Sequence, residues 1–168
     1  MLQSQVLQNL AGCDEYIQHT NRVMRTVSEF CVRELRSVGV KVAAPQGGFY
    51  MFPNFDVIRP ALESRGITTG QAMCDFILED ISVALLPGGP AHNRPAHELT
   101  ARLCFVNFDG ALSLAESRSR GLSKSLDDDF VKDFCAPLYG GIMVLKKWVA
   151  KLRKEQGETS LCVNGETH

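Results

Sequence analysis

At 168 residues, with 45% hydrophobic and 22% charged residues, the chain is long enough for one domain with a real core and too apolar for a disordered tail. Lys and Arg number 18 against 19 Asp and Glu, a formal net charge of -1, which supplies no field for attracting nucleic acid or an anionic membrane. No apolar stretch approaches the roughly 20 residues of a membrane helix, and no charged-then-apolar signal pattern opens the sequence, so the reading is a soluble, cytoplasmic protein.

In residues 14–38 the apolar positions Ile17, Val23, Val27, Phe30, Cys31, Leu35 and Val38 mostly step by three or four, with arginines and glutamates between them. That spacing predicts a long amphipathic helix, ended by Gly39. A short strand is expected over 40–43, then a turn at Pro45-Gln46-Gly47-Gly48, where glycine reaches backbone angles other residues avoid, then a second strand over 49–55. Thr68 or Thr69 can cap a helix burying Ala72, Met73, Phe76 and Ile77 and ending near Asp80.

A short apolar run over 83–86 is broken by Pro87-Gly88-Gly89-Pro90, which opens a loop through His97. Strand-forming residues follow over 103–108, and Asp109-Gly110 closes them. The Ser/Arg-rich stretch 113–125 reads as a loop or frayed helix. Ile142, Leu145, Trp148, Val149 and Leu152 mark a last helix with lysines on its other face, and a disordered tail is expected over 155–168. The sum is an α+β domain, with helices packed on one side of a small, largely antiparallel sheet and one long helix leading in.

Six cysteines stand without any CxxC or Cys/His spacing, so no zinc site is predicted and no metal is expected. Cys31, Cys74 and Cys104 each sit in an apolar pattern and read as small buried hydrophobes in a reducing compartment. His92 and His97 flank the predicted loop and are of a residue type suited to acid-base work, but no partner for it can be named from the sequence. Phe49 and Tyr50 read as turn and core, and Trp148 as core. Arg102 stands out, because a guanidinium within an apolar strand must find an anion, either a bound carboxylate or an acid of the same chain, or else lie on the solvent face.

Three segments in order, Pro45-Gln46-Gly47-Gly48-Phe49-Tyr50, Val83-Ala84-Leu85-Leu86-Pro87-Gly88 and Leu99-Thr100-Ala101-Arg102-Leu103, resemble the small domain of class I and II, fold-type-I aminotransferases that use pyridoxal 5'-phosphate. The resemblance runs from about Leu2 to Leu152. It implies that residues 1–13 are the remnant of a large-domain helix and 14–154 the C-terminal small domain. It also implies that Arg102 grips the substrate α-carboxylate and that Pro87, Gly88 and Gly89 form an active-site loop whose backbone passes close to the substrate. Pro90-Ala91-His92-Asn93 departs from the small residue and Phe-Gly found there in many relatives, which alters the expected loop shape.

The resemblance further implies a parent enzyme, a homodimer, that moves an amino group between an L-amino acid and a 2-oxo acid. The lysine forming the Schiff base with the cofactor, the phosphate cradle and the ring-stacking aromatic belong to a large domain with no counterpart here, so no residue of this chain is assigned to catalysis or cofactor binding. Ser123-Lys124-Ser125 imitates the local pattern of that lysine but follows Arg102 instead of preceding it, and Lys124 is read as a decoy. Alone, the chain is expected to be inactive. The alternative is a complete, non-catalytic aminotransferase-like module acting by binding or interaction.

Overall fold

The structure, a computed structural model, describes residues 10–163. Helix α1 spans Leu10–Ser37 and turns Val23, Val27, Phe30, Cys31 and Leu35 into the core. His19 lies on the same buried face, where its Nδ1 is 2.8 Å from the hydroxyl of the equally buried Ser117. The helix stops where the sequence predicts: Gly39 takes φ +85°, and the Val40 N–H turns back to the Leu35 carbonyl at 3.2 Å. Arg36 then donates twice to the Val42 carbonyl, at 2.7 and 3.1 Å, and fixes the exit of the chain.

Three short strands follow: β1 at Tyr50–Met51, β2 at Leu86–Pro87 and β3 at Ala101–Cys104. They form one antiparallel sheet in the order β1-β3-β2, with Tyr50 opposite Cys104, Met51 opposite Leu103 and Leu86 opposite Arg102. The expected strand over 40–43 is reduced to one bridge, Lys41 to Asn54, and Asn54 bridges in turn to Thr100. Pro53, which has no N–H to give, separates that bridge from β1. The strand expected over 103–108 lies earlier, because the Asp109 carboxylate caps the next helix at the Ala111 and Leu112 N–H groups and draws the chain out of the sheet.

Between β1 and β2 run a 3-10 turn at Asp56–Ile58, helix α2 at Arg59–Glu63 and helix α3 at Gly70–Ile81. Thr69 caps α3, its hydroxyl accepting from the Ala72 N–H at 3.2 Å. Met73, Cys74 and Ile77 make its buried face, while Ala72 and Phe76 are only half-buried. After β2 comes α4 at Gly88–His92, and after β3 come α5 at Gly110–Arg120, α6 at Asp128–Phe134 and α7 at Ala136–Val163.

Two of these helices bear on looser expectations from the sequence, a loop or frayed helix over 113–125 and a disordered tail over 155–168. Helix α5 occupies most of the Ser/Arg-rich stretch, and its buried serines do not disrupt it. The Ser113 hydroxyl instead donates to the Asp109 and Phe134 carbonyls, at 2.8 and 2.9 Å, so the buried group is satisfied. Helix α7 continues past Glu155 to Val163, where a disordered tail was expected; residues 1–9 of the supposed large-domain remnant and residues 164–168 lie outside the described residues. Helix α7 carries Leu145, Trp148, Val149 and Leu152 into the core, and Lys146 reaches Glu34 of α1 at 2.7 Å.

The sheet has two unlike faces. Met51, Ala101, Leu103 and Phe105 are buried against the helices, as period-2 alternation requires. Tyr50, Phe52, Leu86 and Cys104 are exposed on the other face, and Arg102 stands half-buried among them.

Candidate functional site

Arg102 leaves the middle strand on the open face of the sheet. Its guanidinium carbon lies 4.5 Å from the centroid of the Tyr50 ring, and among the described residues this is its contact and no carboxylate binds it. The other arginines near this end are engaged: Arg94 forms a fork with Glu98 at 2.8 and 2.9 Å, and Arg59 binds Asp56 at 2.6 Å and the His97 carbonyl at 3.0 Å. A cation over an aromatic face spends no N–H group on a hydrogen-bond acceptor there, so its donors stay available for a carboxylate. Tyr50, read from the sequence as turn or core, is 46% exposed and supplies this platform. Its alternation with buried Met51 was visible in the sequence; which face the helices leave bare was not.

Pro87, Gly88 and Gly89 do not open a loop. Pro87 ends β2 and sits at the N-cap of α4, and both glycines are in the first turn of that helix. Extended Pro87 and left-handed Asn93, φ +53°, bound the single turn, and the Arg94 N–H closes it on the Gly88 and Gly89 carbonyls at 3.2 Å. The irregular segment is confined to residues 93–100.

The missing side chain of Gly88 serves the neighbouring strand. A Cβ there would overlap the Thr100 hydroxyl and lie 3.1 Å from the Thr100 carbonyl oxygen, which accepts from the Gly88 N–H at 2.9 Å. At Gly70 a Cβ would meet the Glu98 carbonyl at 2.7 Å, so the segment leading into β3 is clasped between two glycines. Gly88→Ala is therefore expected to destabilise the fold by about 1–3 kcal/mol through overpacking. Adding Thr100→Ala should recover part of that loss, read as the urea midpoint of the double variant; no recovery would place the strain elsewhere.

The histidines part company. His97 is exposed, whereas His92 is half-buried, with its ring edge-on to Phe52 at a centroid distance of 4.7 Å. His92 Nε2 is a buried atom with no hydrogen-bond partner, as is Thr100 Oγ1 beneath α4. Lys124 lies in the turn after α5, whose Gly121 carbonyl is bound by Arg22 at 2.6 Å, apart from the Arg102 face. The remaining described lysines are Lys41 beside its bridge, Lys132 on α6 and four on α7.

These residues do not fit pyridoxal phosphate. Its aldehyde needs a lysine and its phosphate a cradle of N–H donors, while α4 offers only a single turn and the Arg102 face carries no lysine in either neighbouring strand. Among the described residues no group of three or more His, Cys, Asp or Glu converges as a metal site, and no helix is long and apolar enough to cross a membrane.

Cysteine placement corrects one expectation. Cys31 and Cys74 are buried, and burial pushes their thiols up to about 12. Cys104 is exposed on the Arg102 face. Iodoacetamide at neutral pH should label Cys104 well before Cys31 or Cys74, with peptide mass spectrometry as the readout; equal labelling of all three would mean that the core opens readily. A separate apolar cavity of about 340 Å³ lies between α1 and the start of α5, lined by Tyr16, Thr20, Met24, Val106, Phe108 and Leu114 among others, and shares no residue with the Arg102 face.

No family model matches the chain. A 70-residue stretch is 40% identical to an aspartate aminotransferase of Pinus pinaster, covering 40% of this chain and 14% of that protein. The fold is similar to the crystal structure of an aromatic aminotransferase from Pyrococcus horikoshii OT3, with a TM-score of 0.50 and 17% identity over 88% of this chain and 28% of that one. The fold is thus like that of part of an aminotransferase, and the chain spans about a seventh and about a quarter of the lengths of these two proteins.

Proposed function

We propose that this chain is the carboxylate-binding C-terminal part of a cytoplasmic, pyridoxal-phosphate-dependent aminotransferase, with Arg102 holding the α-carboxylate of an L-amino acid and, in the other half-reaction, of a 2-oxo acid. The observation that carries this reading is the state of Arg102: half-buried on the uncovered sheet face, its guanidinium over the Tyr50 ring and bound to no acid among the described residues. A group that must bind and release substrate cannot already be saturated by a structural carboxylate. The Tyr50 ring holds the guanidinium by a cation–π contact, and the apolar side chains around it lower the local dielectric, which strengthens a charge-assisted pair once water is displaced.

The cofactor supplies the electron sink of transamination, and in this reading it is held by a large domain of the same homodimeric enzyme. This chain orients the carboxylate and performs no proton transfer. Joined to an upstream domain bearing a Schiff-base lysine, it should give an amino-acid-dependent change in cofactor absorbance and transfer of the amino group to a 2-oxo acid. No absorbance change with any amino acid would refute the reading. The chain alone, exposed to pyridoxal phosphate and borohydride, should show only scattered, sub-stoichiometric labelling; a single stoichiometric adduct on Lys124 would overturn the assignment of the cofactor lysine to the other domain.

A further inference from the structure

Helix α3 carries Asp75, Leu78 and Glu79 at the i, i+3 and i+4 positions of one face, and all three are exposed, Leu78 at 51%. Helix α7 carries Val144, Lys147, Lys151 and Lys154 in steps of three and four, again on one face and again exposed, Val144 at 42%. The two rows flank the same seam between the helices. Phe76 and Asp80, each next in sequence to one of the acids, both meet Trp148, which is next to Lys147.

Neither row is neutralised. Asp75 accepts from the neutral Gln71 side chain at 2.9 Å, and among the described residues Glu79, Lys147, Lys151 and Lys154 form no ion pair. Elsewhere on α7 charges do find partners, Lys146 with Glu34 at 2.7 Å and Glu155 with Arg65. Like charges one turn apart, as Asp75 with Glu79 and Lys147 with Lys151, disfavour a helix. Each row thus carries a repulsion that a facing row of opposite sign removes.

A two-fold axis beside the Trp148 seam gives each row its opposite. In an isologous contact residue i meets j and j meets i, so the acid row of each copy meets the lysine row of the other, twice over. Leu78 and Val144, one in each row, then bring exposed apolar area together between the charges. Opposite charge steers the encounter and fixes the register of such a contact. We propose that the α3–α7 face is a self-association surface, on which a second copy of this chain docks acid row to lysine row and Leu78 to Val144. The face shares no residue with the open side of the sheet, so its role is independent of Arg102.

Sedimentation velocity over a concentration series tests this. The natural chain should show a monomer–dimer equilibrium that weakens as salt rises, because the attraction is between solvent-exposed charges. Reversing one row by Asp75→Lys with Glu79→Lys, or the other by Lys147→Glu with Lys151→Glu, should weaken self-association by more than about tenfold in each case. An equimolar mixture of the two reversed chains should dimerise as the natural chain does, since every row again faces its opposite. Near-ultraviolet circular dichroism of Trp148, the single tryptophan, reports whether each reversed chain is folded. The neutral variant Lys147→Gln with Lys151→Gln should lose less than the reversed one. A natural chain that stays monomeric throughout the series, a dimer unmoved by reversal of either row, or folded reversed chains that do not recover in the mixture would each overturn the proposal.

Discussion

Replacing Trp148 with alanine is expected to destabilise the chain by about 3–5 kcal/mol, a large share of the roughly 5–15 kcal/mol available to a domain of this kind. Trp148 is 4% exposed on α7 and packs against Phe76 of α3, with ring centroids 5.7 Å apart. Its indole N–H donates to the Asp80 carboxylate at 2.7 Å, so one residue joins two helices by packing and by a charge-assisted hydrogen bond. Trp148→Phe retains most of the packing and should lose much less than alanine, and Asp80→Ala should cost about 1 kcal/mol because its carboxylate remains near solvent. Urea denaturation of the three variants separates the contributions. A loss below about 1 kcal/mol for Trp148→Ala would mean that α7 does not depend on α3 for its place.

That core was legible because α1, α3 and α7 carry apolar residues at helical spacing, and a stripe of this kind has one way to be buried. Gly39 and Thr69 were equally legible, since left-handed backbone and a capping hydroxyl are local requirements. The sheet was harder. Strands of two and four residues carry too little alternation to mark their ends, and Pro53 and the Asp109 cap set those limits instead.

Helix α5 was only half legible, as a loop or frayed helix, because its buried serines break the apolar pattern, yet backbone carbonyls and His19 satisfy them across other elements. Helix α4 was hidden because Pro-Gly-Gly-Pro has every sign of a turn. The glycine at residue 88 answers instead to Thr100, whose hydroxyl any side chain there would overlap.

In the site, Arg102 could be singled out by the cost of a guanidinium in an apolar strand, a feature of one residue and its neighbours in sequence. Tyr50 and Phe52 could not. Their alternation with Met51 and Pro53 says that two faces exist, but the side left uncovered follows from where α1, α3 and α7 dock. His92 was a loop histidine in the sequence, and its edge-on contact with Phe52 could not be read there. Such placements are tertiary and leave no periodic trace.

Arg102→Lys is the substitution expected to matter most for function. An ammonium on a flexible stem cannot present two parallel N–H donors to one carboxylate, and it stacks on Tyr50 without the planar registration of a guanidinium. Losing one charge-assisted contact costs about 1.5–3 kcal/mol, so substrate affinity of the chain joined to its large domain should fall roughly ten- to a hundredfold. The loss should appear for the amino acid and the 2-oxo acid alike, because both present the same carboxylate. Stability of the isolated chain should change by no more than about 1 kcal/mol, the worth of a partly exposed cation on an aromatic face. Isothermal titration of both ligands together with urea denaturation measures the two effects on one variant. A variant that binds normally but unfolds early would make Arg102 an architectural residue of the sheet, held by Tyr50 for packing and not for a ligand.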